Sequence, residues 1–247
     1  MALIWSERRD GVMYEVRTAG RTCRLYTDGI FHSSYNPAAP VTGGVWDMLM
    51  MPAFLYPPGS IQRVLLLGVG GGTVIRQLRE FVRPREIVAV DLNAVHLDIA
   101  RRFFDVEGRD VRLVHADAQD WLRQDTSHYD LVIDDLFGGK DGQPVRAIDA
   151  DANWCRTLTA RTARGGAVSI NCVSPVELAA TGFLTDARLR SHFPARFQLR
   201  AARDQNAVGI FLPHDVETGE LRRNLLGVPG LNPRRVAKLN FAIRALK

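Results

Sequence analysis

The sequence predicts an α/β fold: a seven-stranded, largely parallel sheet that ends in an antiparallel hairpin and carries a small β appendage at its N-terminus. Three observations point there. From residue 61 onward, short β-branched runs alternate with amphipathic stretches, the pattern of strand, helix, strand units. The last two runs are joined only by Ala-Ala-Arg-Asp-Gln-Asn, too short for a helical crossover, so they pair antiparallel at one edge. At roughly 150 residues per domain, 247 residues accommodate one α/β domain with a modest appendage.

Residues 14–17, 22–26 and 30–31 read as short strands around turns, Thr27-Asp28-Gly29 being the clearest turn signal. A Pro/Ala/Gly-rich loop over 36–44 follows, then an apolar helical segment over 45–55 ended by Pro57-Pro58-Gly59. The boundary between appendage (1–44) and main domain (45–247) falls there. The main-domain strands are predicted over 63–67, 86–90, 111–116, 131–134, 167–171, 196–200 and 208–212, and the helices over 73–81, 93–104, 118–123, 149–162 and 175–191. The tail beyond 221 holds a turn at Pro229-Gly230 and a final helix after Asn232-Pro233.

Apolar residues at 46% and charged residues at 24% exclude disordered and fibrous classes. No stretch approaches the ~18 uninterrupted apolar residues of a membrane span, and the N-terminus lacks the roughly 7–15 apolar residues of a signal peptide. Cys23, Cys155 and Cys172 are far apart, so a reducing cytoplasm is expected. The histidines never show i,i+4 ligand spacing, and no metal is expected. The net charge of +5 invites a nucleic-acid reading, but the arginines are scattered with no aromatic-interleaved basic stripe, so a nucleic-acid partner is not expected.

The strongest local signal is Val64-Leu-Leu-Leu-Gly68-Val-Gly70-Gly71-Gly72-Thr73, a buried strand running into a glycine-rich turn and then a helix. Such a turn lets a ligand lie on bare backbone at the carboxyl end of the first strand. A dinucleotide fingerprint would put its third glycine at Thr73, so the Gly68-x-Gly70-x-Gly72 spacing favours a nucleoside thioether or sulfonium such as S-adenosylmethionine over NAD. Asp91 ends the next strand, where a carboxylate can accept from both ribose hydroxyls; capping of the following helix is the competing role, one that Asn93 can fill. Asp117 and Ala118 end the third strand, where a carboxylate can accept from the adenine amino group and a small side chain leaves room for the ring. Asp134 and Asp135 end the fourth. Four successive strand ends thus carry polar groups to one edge of the sheet, where open α/β sheets bind ligands.

In this order of motifs the chain resembles the class I methyltransferase fold, Rossmann-like, and within it the spermidine synthase (polyamine aminopropyltransferase) family, from about residue 14 to 212. Leu25-Tyr-Thr-Asp28-Gly29-Ile30 resembles that family's N-terminal hairpin, and Val45-Trp46-Asp47-Met48-Leu49 stands where the family has Tyr-His-Glu-Met-Leu. The glycine loop, Asp91 for the ribose, Asp117-Ala118 for adenine and Asp135 in the catalytic Asp-Ser-Ser-Asp motif follow in the same order. The resemblance implies a donor, S-adenosylmethionine or its decarboxylated form, a small-molecule acceptor that is an amine, and a homodimer; the lack of a long apolar run leads to the expectation of no membrane association.

The departures are chemical. The family's loop aspartate falls on Gly71, so no carboxylate is supplied for the lone ammonium of the decarboxylated donor. The catalytic segment reads Asp135-Leu136-Phe137-Gly138, keeping only its first carboxylate, which is assigned as the base for the attacking amine. Asp141 compensates only if its loop folds inward. Trp46 and His32 replace the family's histidine and glutamine, so His32, Trp46 and Phe137 are expected to line a more apolar acceptor pocket. The sequence therefore implies an alkyl transferase moving either a methyl or an aminopropyl group, with a non-catalytic S-adenosylmethionine- or methylthioadenosine-binding protein as the alternative.

Overall fold

The computed structural model describes residues 1–140, 142–202 and 204–247. The chain opens with a four-stranded antiparallel meander: β1 (Ala2–Arg9), β2 (Val12–Ala19), β3 (Thr22–Thr27) and β4 (Ile30–Tyr35), in that spatial order. It is larger than the short strands read from the sequence. Tyr14, Val16, Cys23 and Leu25 alternate along β2 and β3 onto one buried face, the period-2 pattern of a half-covered sheet. β1 is exposed along nearly its whole length and shows no such alternation.

A short helix α1 (Val45–Leu49) and a 3₁₀ turn at Met51–Leu55 lead into the main sheet. There follow β5 (Arg63–Leu67), α2 (Thr73–Gln77) continued by a wider π-type turn at Leu78–Val82, β6 (Glu86–Asp91), α3 (Ala94–Phe104), β7 (Val111–His115), α4 (Ala118–Gln124) and β8 (Tyr129–Asp134). Beyond them lie the small hairpin β9 (Phe137–Lys140) and β10 (Gln143–Arg146), α5 (Ala152–Ala160), β11 (Thr162–Cys172), the short helices α6 (Pro175–Ala180), α7 (Gly182–Thr185) and α8 (Ala187–His192), β12 (Ala195–Ala201) and β13 (Ala207–Leu212). The C-terminal segment adds α9 (Thr218–Leu225), α10 (Pro233–Leu239) and β14 (Phe241–Ala245).

The main sheet runs β14-β12-β13-β11-β8-β5-β6-β7. β7, β6, β5, β8 and β11 are parallel, whereas β13, β12 and β14 join antiparallel, so the predicted terminal hairpin is present. The eighth strand, β14, comes from a tail read from the sequence as turn and helix. The central strands are buried on both faces. Val64 and Leu66 of β5 enter one core with α1, α2, α3 and the N-terminal meander; Leu65 and Leu67 enter the other with α4, α5 and α6–α8. Each such fully buried aliphatic side chain contributes roughly 1.5–3 kcal/mol.

Two helices differ from expectation for identifiable reasons. The stretch 175–191 is broken into three because Gly182 sits against α5: its N–H donates to the Ala150 carbonyl at 2.8 Å, and a Cβ there would lie 2.7 Å from the Ala152 nitrogen. The helix read over 149–162 is shorter, because the Asp151 side chain accepts from the Trp154 N–H at 2.8 Å and starts it there, and Thr162 already belongs to β11. Among the described residues, no helix is long and apolar enough to cross a membrane.

Candidate active site

Parallel strands that leave β5 toward β6 on one side and β8 on the other open a crevice at their carboxyl ends. A cavity of about 1250 Å³ occupies it. Gly68 and Gly70 after β5, Asp91 at the end of β6, Asp135 after β8 and Asn171 near the end of β11 form its floor. Its walls come from β3 and β4, from the β9–β10 hairpin and from Lys238 and Asn240 near the end of α10.

The glycine loop is shaped by two close approaches. Gly68 has φ +89°, and a Cβ on it would overlap the backbone carbonyl of Asp135, so the loop and the end of β8 meet backbone to backbone. Gly71 is packed the other way: a Cβ there would lie 2.8 Å from Phe104 Cζ and 2.9 Å from Ser33 Cβ, while its N–H donates to Ser33 Oγ at 2.7 Å. Gly71 and Gly72 back the loop and are not part of the cavity lining.

Asp91 ties this loop down. Its Oδ2 accepts from the Val69 and Gly70 N–H groups at 2.8 and 3.1 Å, and its Oδ1 accepts from the Asn93 N–H at 2.8 Å. Capping of α3 falls to Asn93, whose Oδ1 accepts from Val95 and His96. Asp91 Oδ1 retains a lone pair for a further donor, and the residue lines the cavity.

The two adjacent aspartates part company. Asp134 is fully buried, where its Oδ2 receives Arg146 Nη2 and Trp154 Nε1, both at 2.7 Å. Asp135 lines the cavity, and its Oδ1 accepts from Asn171 Nδ2 at 2.7 Å. Burial pushes the Asp135 carboxyl up to about 7; the Asn171 hydrogen bond and the Arg146 charge pull down, the Asp134 and Asp91 charges push up. A carboxyl poised there can take a proton at neutral pH.

His32, Trp46 and Phe137 all line the same cavity. The Trp46 ring meets Phe31 edge to face at 5.2 Å, and the His32 ring lies 5.0 Å from that of His96. Burial, then the neighbouring His96, lowers His32 to about 4 against an upward pull from Asp91, so its imidazole is neutral at pH 7; burial lowers His96 as well. His96 Nε2 is 2.8 Å from Thr27 Oγ1. Among the lining residues that the sequence reading did not single out are Asn171, and Asp204 in the turn between β12 and β13. Asp204 is raised by burial and lowered by the Val45 N–H that it accepts. Asn171 ends an apolar run, and the strand-end rule that picked out Asp91 and Asp135 would have found it; Asp204 carried no signal.

Asp117 and Ala118 lie outside the lining. Asp117 Oδ1 accepts from Gln119 and Asp120 N–H groups at 2.8 and 3.0 Å and so caps α4, and Ala118 is buried beside Leu122 in the second core. Asp141 lies outside the described residues. Among the described residues, no group of three or more His, Cys, Asp or Glu side chains is placed to hold a metal ion.

A methyltransferase domain family matches residues 64–156, the stretch from β5 into α5. Along the whole chain, the solved structure of a probable spermidine synthase from Corynebacterium glutamicum superposes with TM-score 0.73 at 17% identity, covering 99% of this chain and 91% of that one. The fold is that of the spermidine synthase-like class I methyltransferases. A spermidine synthase in complex with the transition-state analogue AdoDATO is similar at TM-score 0.65 and 15% identity, covering 97% of this chain and 78% of that one. Human methyltransferase-like protein 13 in complex with SAH shares the fold at TM-score 0.62 and 18% identity, over 78% of this chain and 91% of that one. In sequence, the chain is 32% identical to the polyamine aminopropyltransferase of Chromobacterium violaceum over 91 residues, which are 36% of this chain and 35% of that protein. It is 32% identical to the probable polyamine aminopropyl transferase of Bifidobacterium longum over 98 residues, 39% of this chain and 21% of the other. The matched stretch therefore spans about a third or less of these two relatives. In this spermidine synthase-like fold, the cavity found here lies at the sheet edge where the glycine loop, Asp91 and Asp135 converge.

Proposed function

We propose that the protein is an alkyl transferase that takes a group from the sulfonium of an S-adenosylmethionine-type nucleoside and gives it to an amine. The observation that carries this reading is Asp135. It is a carboxyl pushed up to about 7, hydrogen-bonded by Asn171, exposed to the cavity and pressed against the glycine loop. The donor is assigned to the floor over Gly68–Gly70 with its ribose on Asp91; Asp117 and Ala118 would bound the adenine end only if that end reaches past the cavity toward α4.

The sulfonium activates the carbon, so the chemistry needs alignment and a base. The amine nitrogen attacks the carbon, the carbon–sulfur bond breaks with its electrons going to sulfur, and the product is a neutral thioether. The nitrogen's proton passes to Asp135. Trp46, Phe137 and His32 would flank the acceptor, with apolar surface where a dication would want carboxylates.

The same geometry favours intact S-adenosylmethionine, hence methyl transfer. The loop position that would need an acidic side chain for a lone donor ammonium is Gly71, and Phe104 and Ser33 fill the space such a side chain would enter. A second reading, aminopropyl transfer to a diamine, is favoured by Asp204, which gives the cavity a carboxylate besides Asp135 and Asp91. Titration calorimetry separates the two: methyl transfer requires tighter binding of S-adenosylmethionine than of its decarboxylated form, and aminopropyl transfer requires the reverse. Binding of either without turnover across a panel of amines would leave a nucleoside-binding protein that does no chemistry.

A further inference from the structure

Asp135 has a support that the alkyl-transfer reading does not require. Asn171 is 3% exposed. Its side-chain amide spans two partners: Nδ2 donates to Asp135 Oδ1 at 2.7 Å, and Oδ1 accepts from Asn206 Nδ2 at 3.0 Å. Asn206 enters from the start of β13, which is paired antiparallel with β11 through Cys172 and Ala207. An amide can turn over and exchange its oxygen and nitrogen, and turned over it would set its oxygen against the Asp135 carboxylate. With Asn206 Nδ2 as the donor, Asn171 turns Oδ1 to Asn206 and Nδ2 to Asp135, an orientation that the Asp135 carboxylate and the Asn206 amide set together. The Asn171 backbone is fixed too, its carbonyl accepting from Arg146 Nη1 at 2.5 Å while Arg146 Nη2 is paired with Asp134.

We infer that Asn171, locked by Asn206, is a positioning residue. It holds the Asp135 carboxylate in one orientation at the cavity floor and stabilises its anionic form. The physical reason is that a neutral donor stabilises the carboxylate without adding charge, whereas burial alone favours the protonated acid, which cannot act as a base. Asn206 acts one bond further out, by denying Asn171 the orientation that would do the opposite. The inference rests on the proposed role of Asp135 for its catalytic meaning, but the effect on the carboxyl itself is independent of any substrate.

The test measures that carboxyl directly. In ¹³C-labelled protein without ligand, the Asp135 side-chain carbon is titrated by NMR in wild type, Asn171→Ala, Asn206→Ala and the double variant, with folding checked by the dispersion of the amide spectrum. The expected result is an upward shift of about one pH unit for Asn171→Ala, a smaller upward shift for Asn206→Ala, and no further shift in the double variant. Asn171→Ser, which restores a donor, should recover part of the shift. In turnover, the acid limb of the pH profile should move with the titration, so that activity at pH 6, normalised to the alkaline plateau, is about tenfold lower in Asn171→Ala than in the wild type. Donor affinity by calorimetry at pH 8 should be unchanged. An Asp135 titration that stays put in Asn171→Ala, or additive shifts in the double variant, would overturn the relay while leaving alkyl transfer intact. Should Asp135→Asn retain full turnover, the assigned base is wrong, yet the NMR titration still decides the relay.

Discussion

Arg146 Nη2 and Asp134 Oδ2 form an ion pair at 2.7 Å beneath the cavity floor, with side chains 2% and 0% exposed. The pair fastens β10 to the end of β8, because Trp154 Nε1 shares the same carboxylate oxygen and Arg146 also holds the β11 backbone at Asn171. Burying two charges costs much of what their attraction returns, so the pair is weak grounds for net stability. Removing one partner is another matter. Arg146→Met should cost about 3–5 kcal/mol by leaving Asp134 uncompensated, whereas Asp134→Asn with Arg146→Met should recover most of that loss. Urea denaturation of the wild type and the two variants measures it; a loss under about 1 kcal/mol for Arg146→Met would contradict the arrangement.

Asp135 gives a pH dependence of two kinds. As a base it acts only when ionised, so turnover should rise with pH through a midpoint near 7. Its effect on stability has the opposite sense. The folded carboxyl binds its proton more tightly than the unfolded one, so its contribution is fully present below the ordinary carboxylate range and is lost as pH rises toward about 7. Asp135→Asn should therefore remove a decline in stability between about pH 4 and pH 7 that the wild type shows. Denaturation midpoints over that range, compared between the two proteins, check it.

Gly71 is held by packing and not by an unusual backbone angle. Gly71→Ala should destabilise the fold by about 1–3 kcal/mol through the contact with Phe104 and Ser33, and pairing it with Phe104→Leu should restore part of the loss. Thermal melts of the single and double variants provide the comparison. Equal melting points for wild type and Gly71→Ala would mean that the loop has room for a side chain, and the argument for the intact donor would go with it.

Asp204 divides the two donor readings. If the acceptor carries a second ammonium that Asp204 receives, Asp204→Asn should raise KM for the amine about tenfold with little change in donor affinity. If the acceptor has one amine on an apolar body, the same variant should change KM by less than about twofold while Trp46→Ala raises it several-fold. Steady-state kinetics with a diamine and an arylalkyl monoamine of similar length distinguish these outcomes.

The parallel part of the fold was legible because β5, β6, β8 and β11 carry near-continuous apolar runs, which only strands buried on both faces need. β1 was not, since a strand exposed along most of its length has no buried face to impose alternation on Ala2–Arg9. β9, Phe-Gly-Gly-Lys, has little strand preference of its own and is a strand because Gln143–Arg146 pairs with it. β14 did offer Phe241 and Ile243 in alternation, but five residues after a helix signal are easily read as a frayed end. At the site, Gly68, Gly70, Asp91 and Asp135 were found because motif and strand end coincide. Gly71 showed only its missing carboxylate, not the packing that explains it. Asp204 was invisible for a topological reason: it reaches the cavity from a hairpin turn distant in sequence from every other floor residue.

A crystal structure with S-adenosylhomocysteine, the thioether product of methyl transfer, should place the sugar hydroxyls within hydrogen-bond distance of the Asp91 carboxylate, with the sulfur beside Gly68 and facing Asp135. A nucleoside lodged elsewhere on the protein, or crystals that remain empty at a concentration of the ligand far above millimolar, would contradict that placement.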